Sequence, residues 1–314
     1  MEFMKYAIFS DIHGNIYALE AALADANALG ADMFLFLGDY CTHYPWVNEV
    51  VETIRGLGSA AVAVRGNNEG YLADLRDNGA ADWDREQFKP IYWCFRSLKP
   101  ENLEFAVSQP ETRTININYG FITLSHSMKL IYRTPKINRF SSSYFRAQME
   151  SAPFTHSEYL TFARDALLSH PDAPTEIRAM PKGVYLFGHN HLQCYFEIDG
   201  KLFINPGSCG TSCDCDSTAA YTILETDGGA RRVTERRVGY DVGLTAQKVL
   251  ASDFAAEAPV WADIIARQLL AGRDYMGPFV RHIGITGHKY GQNSMPVTND
   301  VWREAVATWD PGAV

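Results

Sequence analysis

The chain has 314 residues, 46% of them hydrophobic and 21% charged, the balance of a soluble globular protein long enough for one large or two ordinary cores. Its net charge of −9 speaks against a protein that wraps nucleic acid, which carries a basic surplus. The apolar run Tyr6 to Phe9 is too short for a signal peptide or a membrane span, so a cytoplasmic protein with reduced cysteines is expected.

The first third repeats one unit. Residues 5–10, 33–37 and 61–65 are short apolar runs of the kind that form buried strands. Between them lie two helical patterns, with Ile16, Leu19, Leu23 and Ala26 on one face and Val47, Val50, Val51, Ile54 and Leu57 on another. Pro45 sits where the second helix begins, and Gly30 and Gly58 are the stops. Strand–helix–strand units of this length predict a parallel sheet with right-handed crossovers. Residues 114–118 and 121–125 flank a Tyr119-Gly120 turn. Residues 184–187, 193–198, 201–204 and 219–225 read as further strands, with Asp199-Gly200 a hairpin signal and 231–238 one more strand. Two face-to-face sheets with helices outside fit this order. Residues 128–183 show no strand pattern, and Ser157 is the expected N-cap of a helix reaching Leu168. From Tyr240 onward the pattern is helical, with Trp261, Ile264, Ile265 and Leu269 on one face before Gly272. Residues 275–314 give no clear reading.

Five short segments follow apolar runs: Asp11-Ile12-His13-Gly14-Asn15, Gly38-Asp39, Gly66-Asn67-Asn68-Glu69, Ser125-His126 and Gly188-His189-Asn190-His191. Asp11, Asp39 and Asn67 fall just after the first three strands, and in an open α/β sheet those positions share the carboxyl edge where ligands bind. Singly, each has a plain alternative as a turn, a helix cap or a surface histidine. Jointly they place carboxylate, imidazole and amide donors together, a mixture suited to Mn²⁺, Fe²⁺ or Zn²⁺. Two such ions roughly 3.5–4 Å apart can clamp a phosphoryl oxygen and generate hydroxide at neutral pH. A bridging carboxylate must use both oxygens, and Asp39 is the natural candidate. Cys209, Cys213 and Cys215 cluster in sequence but lack the paired spacing of a structural zinc site.

These motifs resemble the calcineurin-like metallophosphoesterase superfamily, over residues 5 to about 225. Arg65-Gly66-Asn67, Asn205-Pro206-Gly207-Ser208 and Gly239-Tyr240-Asp241-Val242 are similar to its small bacterial YfcE-like phosphodiesterases. The resemblance implies a four-layer α/β/β/α sandwich as a catalytic domain over 1–239. The residue pattern adds a helical insertion at about 128–183, whose basic start behind His126 could cap the site, and a helical C-terminal extension, 240–314, packed on the core. The resemblance assigns one ion to Asp11, His13, Asp39 and His191, and the other to Asp39, Asn67, His126 and His189. Manganese is favoured, with iron, zinc or nickel as alternatives. The expected activity is hydrolysis of a phosphodiester, or else a phosphomonoester, by a metal-bridging hydroxide.

One position departs from the pattern. The third motif commonly carries a histidine that protonates the leaving group, and here that place is taken by Asn68. Such general acid help is typically worth about 10²–10⁴-fold. His43, four residues beyond Asp39, is the candidate replacement, and Asn68 is expected to hydrogen-bond near the phosphate. Glu69 reads as a helix-start residue. Lys129, Arg133, Lys136, Arg139 and Arg146 precede any acidic residue up to Glu150, so Arg133 and Arg139, with Asn15, are candidates for substrate binding. Tyr132, Phe140, Tyr144 and Phe145 could stack a nucleobase, though core packing is the plainer use. The expected partner is a small phosphoester, nucleotide-like in one version, with no membrane or nucleic acid. Competing readings are a scaffold protein on the same fold, like a retromer subunit, and a protein phosphatase or dinucleoside polyphosphate hydrolase. The complete ligand set argues against the first, and Asn68 against the others.

Overall fold

Strand β1 (Met4–Phe9) sends Tyr6 and Ile8 into one apolar cluster and Ala7 and Phe9 into another. Both faces are covered, which is why the run is apolar throughout rather than alternating. The computed structural model describes residues 3–80, 83, 85–133 and 156–313. In it β1 pairs in parallel with β2 (Met33–Phe36), and β2 with β3 (Ala61–Ala63). Helices α1 (Ile16–Ala28) and α2 (Val47–Gly56) make the crossovers, and Gly30 and Gly58 follow them with positive φ. The register sets Phe9 beside Phe36 and Phe36 beside Ala63, so all three strands end on one edge.

The second sheet begins with the hairpin β4 (Thr112–Ile117) and β5 (Gly120–Ser125) and continues through β6 (Val184–Leu186) to β7 (Gln193–Ile198) and β8 (Lys201–Pro206). Its order is β4-β5-β6-β8-β7, with β5, β6 and β8 parallel. The Asp199-Gly200 turn has positive φ at both residues, 51° and 73°, as a two-residue hairpin requires. The chain then returns through β9 (Ala219–Asp227) and β10 (Ala230–Val238) to complete the first sheet, order β10-β9-β1-β2-β3.

Ile8, Leu35 and Leu224 meet Leu124, Leu186 and Ile204 between the sheets. The outer face of the second sheet packs Phe187 and Phe203 against Leu130, Leu167 and Ile177. These come from α6 (Lys129–Arg133) and the helices His156–Leu168 and Ala173–Ala179. The resulting layers are helix, sheet, sheet, helix. The helix expected to start after Ser157 begins two residues earlier, at His156.

Between β3 and β4 lie the α-helices α3 (Asn67–Asn78), α4 (Lys89–Ser97) and α5 (Pro100–Ser108). After β10 come Val242–Leu250, Asp253–Glu257, Pro259–Ala271, Met276–Lys289 and Asn299–Thr308. Trp261, Phe279 and Trp302 join the same apolar cluster as Phe9 and Val50, so the extension shares the core of the first sheet's helical layer. The last two helices fall where the sequence is silent. Gly277, Pro278, Gly284 and Gly287 mask a periodicity that Phe279 and Ile283 carry.

Candidate metal centre

The strand register brings the five motifs to one place. Asp11 donates its N–H to the Gly38 carbonyl (3.2 Å) and His13 to the Asp39 carbonyl (2.8 Å), joining the loops after β1 and β2. Gly188 donates to the His126 carbonyl (2.8 Å), and the His189 N–H reaches Asp11 Oδ2 (3.1 Å), tying the second sheet's loops to the first. Asp11, His13, Asp39, His189 and His191 all have φ between 51° and 72°. This left-handed conformation is costly for non-glycine residues and gathers where surroundings impose it for a purpose.

Two clusters of donor atoms result. Asp11, His13 and His191 form one, Asp11, Asp39 and His126 the other, each with its ligand atoms within 4.8 Å of one another. Asp11 Oδ1 lies 3.9 Å from His13 Nε2, 3.4 Å from His191 Nε2 and 3.9 Å from His126 Nε2. Asp39 Oδ2 is 3.3 Å from His126 Nε2, and Asn67 Oδ1 lies 3.1 Å from His126 Nε2 and 2.9 Å from His189 Nδ1. The sequence reading puts the bridge at Asp39. Among the described residues, the carboxylate common to both clusters is Asp11.

The donor set fits a cation. Asp11 Oδ1 is fully buried with no hydrogen-bond partner, an arrangement expensive for a carboxylate unless positive charge sits beside it. His13 Nε2 and His191 Nε2 face each other at 3.3 Å. His126 Nδ1 donates to the Leu37 carbonyl (2.9 Å) and His191 Nδ1 to the Thr211 carbonyl (2.7 Å), which turns each Nε2 toward the carboxylates. Outer bonds of this kind orient metal-binding histidines. Glycines make the room: a Cβ at Gly66 would stand 2.1 Å from Asp39 Oδ1, and one at Gly188 would stand 2.8 Å from Asp11 Oδ2.

Charges respond to this crowding. Burial alone would raise the Asp39 carboxyl, but His126 and His13 beside it hold it well below the usual range. Burial works against a proton on His126, yet Asp39, Asp11 and Glu69 together push it up to about 10. Burial and neighbouring histidines lower His13 and His189.

Other candidates have different surroundings. Asn68 is buried, its backbone N–H on Asp39 Oδ1 (2.9 Å) and its Nδ2 on Asp39 Oδ2 (2.8 Å) and near His13 Nδ1 (3.3 Å). His43 stacks on His13 with centroids 4.1 Å apart, and burial with His191 nearby lowers it to about 4. Asn15 has no exposed surface: its Oδ1 caps α1 at Ala18, and its Nδ2 donates to the Gly210 carbonyl and the Tyr240 hydroxyl. That makes it a structural clasp rather than a substrate contact. Arg133 is exposed and pairs with Glu176 on the neighbouring helix. Arg139, Lys136, Arg146, Phe140, Tyr144 and Phe145 lie outside the described residues.

Sequence reasoning gives Glu69 only a helix-start role. Its carboxylate accepts N–H bonds from Gly66 (2.8 Å), Asp39 (2.8 Å) and Cys41 (3.1 Å), stitching the second and third motifs together from the third position of α3. Burial, with the Asp39 charge adding to it, raises Glu69 to about 7. Its place at the helix start was legible; its service to a loop 30 residues earlier was not.

A model of the calcineurin-like phosphoesterase superfamily domain matches residues 4–229. The chain belongs to this superfamily. It is 26% identical over 267 residues to an uncharacterized protein of Methanocaldococcus jannaschii, covering 85% of this chain and 98% of that one. Among solved structures it is similar to a metallophosphoesterase from Sphaerobacter thermophilus, with TM-score 0.57, 23% identity, and 86% and 100% of the two chains covered. A hypothetical protein from Pyrococcus horikoshii aligns at TM-score 0.56 and 17% identity, covering 82% and 97%. These two likenesses concern the fold. No described helix is long and apolar enough to cross a membrane.

Proposed function

We propose that this chain is a binuclear metal-dependent phosphoesterase, favouring diesters over monoesters and manganese over iron, zinc or nickel. The observation that carries the reading is the buried Asp11 Oδ1, which makes no hydrogen bond, with three imidazoles and Asp39 around it. The expected assignment is kept, Asp11, His13, Asp39 and His191 for one ion and Asp39, Asn67, His126 and His189 for the other, with Asp11 as a second carboxylate that belongs to both donor clusters. Bound there, divalent ions supply Lewis-acid stabilisation of phosphoryl charge and activation of water.

The protein's own groups orient this set. Asn68 fixes both oxygens of Asp39, Leu37 and Thr211 carbonyls fix the rings of His126 and His191, and Glu69 fixes the two loops that carry Asp39 and Asn67. Neutral at pH 7, His43 has no surplus proton to give, and it serves the leaving group at most as a hydrogen-bond donor. Substrates with good leaving groups are therefore favoured. The test is Asp39→Ala, assayed by metal analysis and with bis(p-nitrophenyl) phosphate. Both metal loading and hydrolysis should disappear; persistent hydrolysis would overturn the assignment.

A further inference from the structure

An open groove of about 310 Å³ adjoins the ligand cluster, with Asn67 and His126 in one wall. Arg65, Glu111 and Ser127 also line it, and among the described residues no Phe, Tyr, Trp, Leu, Ile, Val or Met does. Arg65 Nη2 donates to Glu111 Oε1 at 2.8 Å, with the arginine side chain 30% exposed and the glutamate 78%. Such an exposed pair is worth little by itself and opens readily to a competing ligand. It offers charged donors beside a charged acceptor, the complement of hydroxyl groups, which donate and accept at once. A nucleobase would need a ring to stack on, and an acyl chain an apolar wall.

Gly70 also lines the groove, on α3. Its φ is not positive, and a Cβ there would meet nothing within 4 Å. Neither backbone conformation nor close packing demands glycine at this position, although glycine inside a helix is destabilising relative to alanine. What its small size does is keep the groove open.

We propose that this groove is the subsite for the alcohol arm of the phosphoester, and that the arm is hydroxyl-rich, of sugar or polyol type. This rests on the phosphoesterase reading above. The ligand's phosphate lies at the Asn67 and His126 end, and its hydroxyls exchange with the Arg65–Glu111 pair.

The test compares two probes on the Mn²⁺-loaded protein by calorimetry: methyl phosphate and D-ribose 5-phosphate, which share the phosphate and differ in the arm. Ribose 5-phosphate should bind about 10-fold tighter or better, the yield of one or two added hydrogen bonds to charged groups. In Gly70→Leu that advantage should fall to within about twofold, with the loss confined to ribose 5-phosphate. Leucine is a better helix former than glycine, so the variant's melting temperature should hold or rise. Glu111→Ala should remove part of the same advantage. Equal binding of the two probes in the unmodified protein, or equal weakening of both by Gly70→Leu, overturns the subsite while leaving the metal reading intact. Failure of both probes to bind the loaded protein overturns the metal reading and the subsite with it. Adenosine 5′-monophosphate binding another 10-fold tighter than ribose 5-phosphate would show that the groove takes a base, and would overturn the assigned class.

Discussion

Removing Glu69 should cost both stability and metal affinity. In Glu69→Ala three backbone N–H groups, of Gly66, Asp39 and Cys41, lose their shared acceptor inside the protein. Hydrogen bonds to a charged group are worth about 1.5–3 kcal/mol each. Relief of the carboxylate's own burial offsets part of that, leaving a net loss of roughly 3–5 kcal/mol. At about 2.1 cal/mol/K per residue, 314 residues give an unfolding entropy of roughly 0.66 kcal/mol/K, so Tm should fall by about 5–8 °C. Mn²⁺ affinity should fall about 10–100-fold, the usual cost of losing an outer partner of a metal site. The assays are calorimetric melting of the metal-free protein and Mn²⁺ titration. Glu69→Gln, which keeps one acceptor oxygen, should fall between. A Glu69→Ala variant that melts within 1–2 °C of the parent (roughly 1 kcal/mol) and keeps its Mn²⁺ affinity would refute this account of how the two motifs are joined.

The same residue sets a pH dependence. Glu69 goes from 4.5 unfolded to about 7 folded, so its contribution is full below about 4.5 and is lost as pH rises through about 7. In the metal-free protein the stability of the parent relative to Glu69→Gln should therefore decline by about 3 kcal/mol between pH 4.5 and 8, measured by urea unfolding; a flat difference would contradict it. Gly66→Ala should abolish Mn²⁺ binding while the circular dichroism spectrum stays folded, because its Cβ would stand 2.1 Å from Asp39 Oδ1. Gly272→Ala puts a Cβ 2.9 Å from the Asp216 and Ser217 backbone at φ 61°. It should weaken Mn²⁺ binding about 10-fold through His191, and equilibrium dialysis showing it unchanged would exclude that route. Chelation by EDTA should lower Tm, since the folded state then loses the ion that it binds and the unfolded chain does not, and Asp11 Oδ1 stays buried with no hydrogen bond.

Much of the site was written locally. Asp11, Asp39 and Asn67 follow their strands by two, three and four residues, and parallel pairing with short crossovers leaves such positions only one edge to share. His126, His189 and His191 follow β5 and β6 in the same way. The sandwich was legible for a related reason: a covered sheet demands apolar strands, and the Asp199-Gly200 turn demands residues that tolerate positive φ.

What only the tertiary structure decided are contacts between segments far apart in sequence. Thr211 orients His191 because the segment 208–217 is wedged between two layers. On one side Ser208 and Gly210 bond the Asp11 carbonyl. On the other, Cys215 bonds the Gly272 carbonyl, and Gln268 reaches Cys213 from a helix beyond the matched domain. Arg133 sits next to the site in sequence, yet its partner is Glu176. Asn15 clasps Gly210 and Tyr240, residues 195 and 225 positions away. A motif states which atoms are available. Which of them face a common point, and which are spent holding the loops that carry them, depends on side-chain directions that are set only when the layers close.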